Sequence, residues 1–87
     1  MVCKFSKSAA HFIKTADKNT KQRMKQGIEG LMKNPPLGDI KPLKDWQPPS
    51  YRLRIGGYRV IFSYREAEDG TKILYIQDIG SRGDIYR

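Results

Sequence analysis

The sequence contains very few of the residues on which most small catalytic and metal sites depend. Cys3 is the one cysteine and His11 the one histidine among 87 residues. A single cysteine excludes an internal disulfide and a cysteine-cluster metal site, and it indicates a reducing compartment. A single histidine excludes a histidine pair acting as acid and base, and we expect His11, next to Phe12, to be a partly buried packing residue. We therefore expect no metal and no cofactor.

Long apolar runs and glycine-rich phosphate loops are also missing. No stretch approaches the length of a signal-peptide core or a membrane span, so we expect a cytoplasmic protein with no membrane partner. Walker and dinucleotide-type loops are absent, and no Ser-His-Asp arrangement is plausible. If the protein is an enzyme, its site consists of arginines, lysines and tyrosines. Asp78 and Asp84 are candidate bases, although such residues more often pair with neighbouring arginines.

Positive charge is what the sequence has in excess. It has 17 Lys and Arg against 9 Asp and Glu, a net charge of +8 and a pI near 9.8. Such a surface attracts nucleic acid, an anionic membrane or an acidic partner protein, and charge alone does not choose among them. The length predicts one domain, residues 1–87, with one modest core.

The apolar pattern predicts an α+β fold. Residues 2–5 have the pattern of a short strand. Two stretches at helical spacing follow, separated by a break at residues 17–19 and ended by Asn34-Pro35-Pro36; their apolar stripes are Ala9, Phe12, Ile13 and Ala16, then Met24, Ile28, Leu31 and Met32. Glycine and proline predict an irregular segment before residue 50. Residues 73–79 form an apolar, central strand that Gly80 ends. The fold expected is an N-terminal strand, a two-helix hairpin and a three-stranded antiparallel meander in a small twisted sheet.

Residues 51–64 have the pattern of a β-hairpin with Gly56-Gly57 as its two-residue turn. In a primed turn both glycines have positive φ, and Arg54 then lies opposite Arg59. Alternation assigns one face to the core, with Tyr51, Leu53, Ile55, Tyr58, Val60, Phe62 and Tyr64. The other face carries Arg52, Arg54, Arg59 and Arg65, with Ile61 and Ser63 between them.

These four arginines have two interpretations. They are either the solvated side of a half-exposed sheet or a surface that binds anions. Like charges directly opposite on neighbouring strands are destabilising, so the Arg54–Arg59 pair violates a local stability rule, as functional sites often do. Arginine also suits phosphate, because its planar fork remains charged at every working pH.

Three segments resemble the RelE/ParE superfamily of bacterial and archaeal toxins. They are P-L-K-D-W, then Y-R-L-R-I-G-G-Y-R-V-I-F, and the closing D-I-G-S-R-G-D-I-Y. The resemblance covers nearly the whole chain and implies the RelE-like microbial RNase fold. It also implies a toxin that cleaves messenger RNA on the ribosome and is neutralised by an acidic, RelB-like antitoxin. ParE-type relatives share the fold, lack the catalytic set and poison DNA gyrase. A third alternative is a basic RNA-binding module without cleavage.

The resemblance implies a catalytic set of five residues, namely Arg52, Arg54, Arg59, Arg82 and Tyr86. The first two are typically lysine in the best-known RelE branch. Arginine neutralises phosphate but does not exchange protons near neutral pH, so proton transfer passes to another group. Tyr86 is the candidate base, because nearby arginines favour a phenolate. Further RNA contacts are expected at Lys41, Lys44 and Arg65.

Overall fold

The computed structural model describes residues 1–81, which form two helices and one five-stranded sheet. Three residues of the predicted site, Arg82, Asp84 and Tyr86, therefore lie outside the described residues. In chain order the elements are β1 (Val2–Phe5), α1 (Lys7–Thr15), α2 (Lys18–Leu31), β2 (Asp39–Pro42), β3 (Tyr51–Ile55), β4 (Tyr58–Glu66) and β5 (Lys72–Ser81). The α+β class predicted from the sequence is confirmed.

The sheet has the strand order β1-β5-β4-β3-β2, in which β1 runs parallel to β5 and the other pairs are antiparallel. β5 lies between β1 and β4, so the predicted central strand is confirmed, but it continues through Gly80 to Ser81. The prediction of an irregular segment at residues 39–42 is wrong, because β2 forms there. A proline is tolerated in this strand because β2 lies at the sheet edge and Pro42 is its last residue.

Polar side chains begin both helices. The Ser6 hydroxyl accepts a hydrogen bond from the Ala9 amide at 3.1 Å, and the Asp17 carboxylate accepts one from the Thr20 amide at 2.7 Å. Both residues are favoured N-caps. The backbone and side-chain hydrogen bonds from Thr20 lower the pKa of Asp17 below its ordinary value. The break predicted at residues 17–19 is right only at Asp17, the N-cap of α2, because Lys18 and Asn19 already belong to the helix.

The core lies between the helices and one face of the sheet. The predicted apolar stripes supply it, with Ala9, Met24, Ile28 and Leu31 from the helices and Leu53, Val60, Phe62, Leu74, Ile76 and Ile79 from the strands. α2 approaches β3 so closely that a Cβ atom at Gly27 would collide with the Ile55 side chain. His11 is exposed, so the expectation of a partly buried histidine is wrong; it lies on the side of α1 that the core does not use.

The register of the hairpin is as predicted, and its turn differs in one respect. Arg54 pairs with Arg59, and Ile55 with Tyr58. Gly56 has a φ of 56°, but Gly57 does not have a positive φ. A positive φ at the first turn residue alone is the pattern of a type II′ turn, which also fits the twist of antiparallel strands.

Neither helix is long and apolar enough to cross a membrane within residues 1–81. The same residues contain no group of three or more His, Cys, Asp or Glu side chains that could hold a metal ion.

Candidate nucleic-acid interface

The face of the sheet that points away from the helices carries the predicted arginines, and we call it the arginine face. Its members Arg52, Arg54, Arg59 and Arg65 alternate along β3 and β4 with the core residues Leu53, Val60 and Phe62. Because side chains alternate across a strand, all four arginines share this face. The structure does not, however, give them equal surroundings.

Arg54 and Arg59 form the most compact part of the arginine face. They are direct partners across β3 and β4, with Arg54 exposed and Arg59 half-buried. On β2 the residue opposite Arg54 is Asp39, and on β5 the residue opposite Arg59 is Gly80. Two guanidinium groups at one level of the sheet can both contact one anion.

Arg52 is buried, so the interpretation of the four arginines as a solvated face does not hold for this residue. Only 4% of the residue is exposed. Its Nη1 atom donates to the Asp39 carbonyl at 3.3 Å and lies 3.5 Å from the Asp39 Oδ1 atom. The physical reason is β2, which pairs with β3 and brings this carboxylate diagonally next to the guanidinium. Because the Asp39 side chain is 53% exposed, solvent weakens the ion pair and the arginine keeps much of its field.

The middle of the arginine face is not exposed to solvent. Ile61 and Ser63 of β4 are 1% and 0% exposed. Ser50, at the end of the loop between β2 and β3, is also buried, and its hydroxyl lies 3.0 Å from the Gln77 Oε1 atom of β5. The same loop is folded back on itself by a hydrogen bond from the Leu43 amide to the Ser50 carbonyl. The site is therefore an edge around Arg54 and Arg59 rather than a uniformly open sheet surface.

Arg65 lies apart from the other arginines. It follows Arg59 by six residues on the same strand, which is about 20 Å at strand rise. Its guanidinium lies 4.1 Å from the centroid of the Tyr75 ring, and its Nε atom donates to the Ser63 hydroxyl at 3.2 Å. The structure places Arg65 against an aromatic ring, at the opposite end of β4 from the Arg54–Arg59 pair.

The two predicted lysines lie near the other edge of the sheet. Lys41 is exposed on β2 directly opposite Arg52, so it shares the arginine face. Lys44 is exposed in the following loop. Arg82 and Tyr86 lie outside the described residues, and their positions relative to these groups stay predictions.

Two residues at the site were not predicted from the sequence. Asp39 forms an ion pair with Arg52. The sequence signal for this pair was the alternation of the charged residues Asp39 and Lys41, which is typical of a strand that could pair with residues 51–55. The sequence predicts Arg23 of α2 on a solvated basic helix face that also meets rRNA phosphates or an acidic antitoxin, but it does not predict a contact with the hairpin. In the structure the Arg23 guanidinium lies where a Cβ atom at Gly56 would be, so Arg23 lies at the hairpin turn.

This arrangement can bind and neutralise a phosphate but cannot by itself move a proton. Arginine forms paired, charge-assisted hydrogen bonds with phosphate oxygens and stabilises charge that develops on them. It does not lose its own proton in a protein. The described residues thus supply the electrostatic part of an RNA-cleaving site.

Comparisons with known proteins identify the family of this chain and solved structures with a similar fold. Residues 3–86 match the family model described as the ParE toxin of the type II toxin-antitoxin system, parDE. A search of curated proteins found no match.

Three solved structures share the fold. A chain of the archaeal RelE-RelB complex from Pyrococcus horikoshii OT3 has 24% identity and a TM-score of 0.72, with 95% of this chain and 96% of that chain covered. For the RelB-RelE antitoxin-toxin complex from Methanococcus jannaschii the identity is 27%, the TM-score 0.63, and the coverage 94% and 93%. For the toxin-antitoxin complex RelBE2 from Mycobacterium tuberculosis the identity is 21% and the TM-score 0.66, with 93% of this chain and 96% of that chain covered. This chain therefore belongs to the ParE toxin family of type II toxin-antitoxin systems, within the RelE/ParE superfamily.

Proposed function

We propose that this toxin is a ribosome-dependent endoribonuclease that cleaves messenger RNA in the cytoplasm. The observation that carries the proposal is the Arg54–Arg59 pair, two cations directly opposite each other on the sheet face away from the core. The pair costs stability, within the roughly 0.2–1 kcal/mol range of cross-strand effects, and a bound phosphate would offset that cost. The fold shared with RelE chains supports the same proposal.

The reaction would use the RNA's own 2′-hydroxyl as the nucleophile. A base removes its proton, and the oxygen attacks the adjacent phosphorus. The bond from phosphorus to the 5′-oxygen breaks, the 5′-oxygen takes a proton from water or from ribosomal RNA, and the upstream fragment ends in a 2′,3′-cyclic phosphate. Arg54 and Arg59 would contact the phosphate as negative charge develops on its oxygens, and Arg52 would act from beneath through its field. Arg82 would add a further cation, and Tyr86 would be the base. Lys41, Lys44 and Arg65 would bind RNA away from the reacting phosphate.

The ribosome would supply what this site does not. A site without histidine depends strongly on a substrate that is held in line for attack, and positioning alone can contribute several kcal/mol to a reaction of this kind. A messenger fixed in the decoding site meets that requirement. Free RNA should therefore be a poor substrate.

An acidic antitoxin is the second partner in this proposal. The solved relatives are RelE chains in complex with RelB. A net charge of +8 favours a partner of opposite charge, because complementary charge accelerates association and selects the partner.

A second candidate function, the poisoning of DNA gyrase, is favoured by the description of the matched family model, which names ParE toxins. The negatively charged DNA in a complex with gyrase would also be attracted to a basic surface. A basic module that binds RNA without cutting it is the third alternative, and it predicts growth inhibition without new RNA ends.

The test is to map RNA ends and DNA breaks in the same cells after brief induction of the toxin. The control is Arg54→Ala/Arg59→Ala at equal soluble protein level. We expect new ends within translated messages for the wild type and none for the control. Gyrase-linked DNA breaks with intact messages would replace the proposal by the second candidate.

A further inference from the structure

A second cationic surface lies beside the arginine face, in a groove between α2 and β3. The groove has a volume of about 560 Å³, and its lining includes Arg23, Gln26, Gly27, Gly30, Lys33 and Arg54. Leu37, Leu53 and Ile55 also line the groove. The Ile55 side chain packs against Gly27, and the backbone of Leu37 packs against Gly30.

The groove and the arginine face meet at the hairpin turn. The guanidinium of Arg23 lies where a side chain at Gly56 would be, which holds it against the turn. Arg54 lies two residues before Gly56, and it belongs both to the arginine face and to the groove lining. A nucleic-acid strand bound at Arg54 can therefore continue into the groove and stay in contact with cationic side chains.

We propose that this groove binds the phosphate backbone of single-stranded RNA next to the cleaved phosphate, with Arg23 and Lys33 as phosphate ligands. This inference rests on the proposed function and extends the path of its substrate. RNA fits better than an acidic protein because Arg54 makes the groove continuous with the face that holds the reacting phosphate. Glu29, the one acidic residue of α2, also lines the groove and weakens binding by repulsion.

The test measures how RNA affinity depends on salt. The probe is a short single-stranded oligonucleotide with 2′-deoxy substitution, which cannot be cleaved. Arg23→Ala/Lys33→Ala is compared with Lys7→Ala/Lys14→Ala, which removes the same charge from exposed positions of α1. Each lost phosphate contact on a single strand lowers the slope of log affinity against log salt by about 0.7. We expect the groove variant to lose about 1.4 from the slope and roughly 10–30-fold in affinity at 0.1 M salt.

We expect the α1 variant to keep the wild-type slope. Equal slopes for the two double variants would overturn the inference. So would a groove variant that loses antitoxin binding but keeps the RNA slope, because the groove would then be a protein interface.

Glu29→Gln gives a test of opposite sign. Removing the repulsive carboxylate should tighten binding and steepen the salt slope, whereas a groove that does not meet RNA predicts no change. All substituted side chains are exposed, and thermal unfolding checks that the variants fold. Because the probe cannot be cleaved, this binding experiment does not depend on the proposed cleavage. If the wild type cleaved no messenger RNA but the predicted changes in salt slope were observed, the proposed cleavage would be wrong and RNA binding in the groove would be supported.

Discussion

Arg54 and Arg59 lie directly opposite each other in the β3–β4 hairpin, on the sheet face that the helices do not cover. Asp39 of β2 adjoins this row, and its carboxylate forms an ion pair with the buried Arg52. Arg54 is exposed, so its positive charge lies at the surface. Opposed like charges lower stability but favour anion binding, so a substitution should change toxicity and the free energy of unfolding in different ways.

Arg54→Ala and Arg59→Ala should each abolish toxicity without unfolding the protein. The loss of one preorganised donor at a developing anion typically costs on the order of 10²–10³ in rate. Arg54 is exposed, so removing its charge from the position opposite Arg59 should leave the free energy of unfolding unchanged or raise it by a few tenths of a kcal/mol. Growth after induction and urea unfolding measure the two effects. Lys72→Ala, at the other end of the sheet, is the control, and equal growth arrest by all variants would contradict the assignment.

Arg52 allows charge to be separated from packing. Arg52→Ala leaves a cavity at a position that is 4% exposed, so we expect a loss of roughly 1–3 kcal/mol in the free energy of unfolding. Arg52→Met fills most of that volume, and Asp39 can be solvated because it is half-exposed. Its stability should lie within about 1 kcal/mol of wild type. Both variants should lose toxicity. An active Arg52→Met protein would show that the arginine is only structural.

The two turn glycines should respond differently to alanine. Gly56 has a φ of 56°, a left-handed conformation that is unfavourable for alanine, so Gly56→Ala should destabilise by about 1–2 kcal/mol. The exposed, flexible Arg23 side chain can move away from the added Cβ at little cost. Gly57 has no positive φ and no atom within 4 Å of an added Cβ, so Gly57→Ala should change stability by less than about 0.5 kcal/mol. Thermal or urea unfolding of the two variants tests the turn type directly, because a turn with two positive φ values would make both substitutions costly.

Tyr64 makes a structural hydrogen bond whose loss should be visible at alkaline pH. Its hydroxyl donates to the Leu31 carbonyl at the end of α2 at 2.7 Å. Burial, then the neighbouring Tyr51, raises the pKa of Tyr64 above its ordinary value. A raised pKa for an acid favours the neutral form in the folded state, so its contribution to stability is present below about pH 10 and is lost as pH rises further.

Tyr64→Phe should therefore cost about 0.5–1.5 kcal/mol at pH 7. The stability difference from wild type should shrink above pH 10. Urea unfolding between pH 7 and pH 11 measures it. If the difference in the free energy of unfolding between wild type and Tyr64→Phe stayed constant across this range, folding would not raise the pKa of Tyr64, and the prediction would be wrong.

Local patterns predicted most of the fold. Period-2 alternation and a Gly-Gly pair predict the hairpin register, and two apolar stripes predict the helices, because each signal is carried by neighbouring residues. β2 was missed because Pro42 within it and Gly38 before it argue against a strand, and pairing with β3 stabilises it. An edge strand of this kind depends on tertiary contact rather than on local preference.

The same limit applies to the site. Alternation predicted that Arg52, Arg54 and Arg59 share a face, but the burial of Arg52 follows from Asp39 on the strand that was missed. The separation of Arg65 follows from strand rise alone and was available from the sequence. The contact of Arg23 with the turn was not available, because it depends on how closely α2 packs on β3.

The last prediction separates binding from chemistry at Tyr86, which lies outside the described residues. If its phenolate is the base, Tyr86→Phe keeps the ring but removes the proton acceptor, since arginines do not accept protons near neutral pH. Ribosome binding should survive, and cleavage should fall by at least the roughly 10²–10⁴-fold that a positioned general base contributes. Single-turnover cleavage on programmed ribosomes at saturating toxin, over a range of pH, removes affinity from the comparison. Tyr64→Phe is the matched control, because it removes a tyrosine hydroxyl that only supports the fold. A Tyr86→Phe protein that cuts near the wild-type rate would assign proton transfer to Asp84, Asp78 or a group on the ribosome.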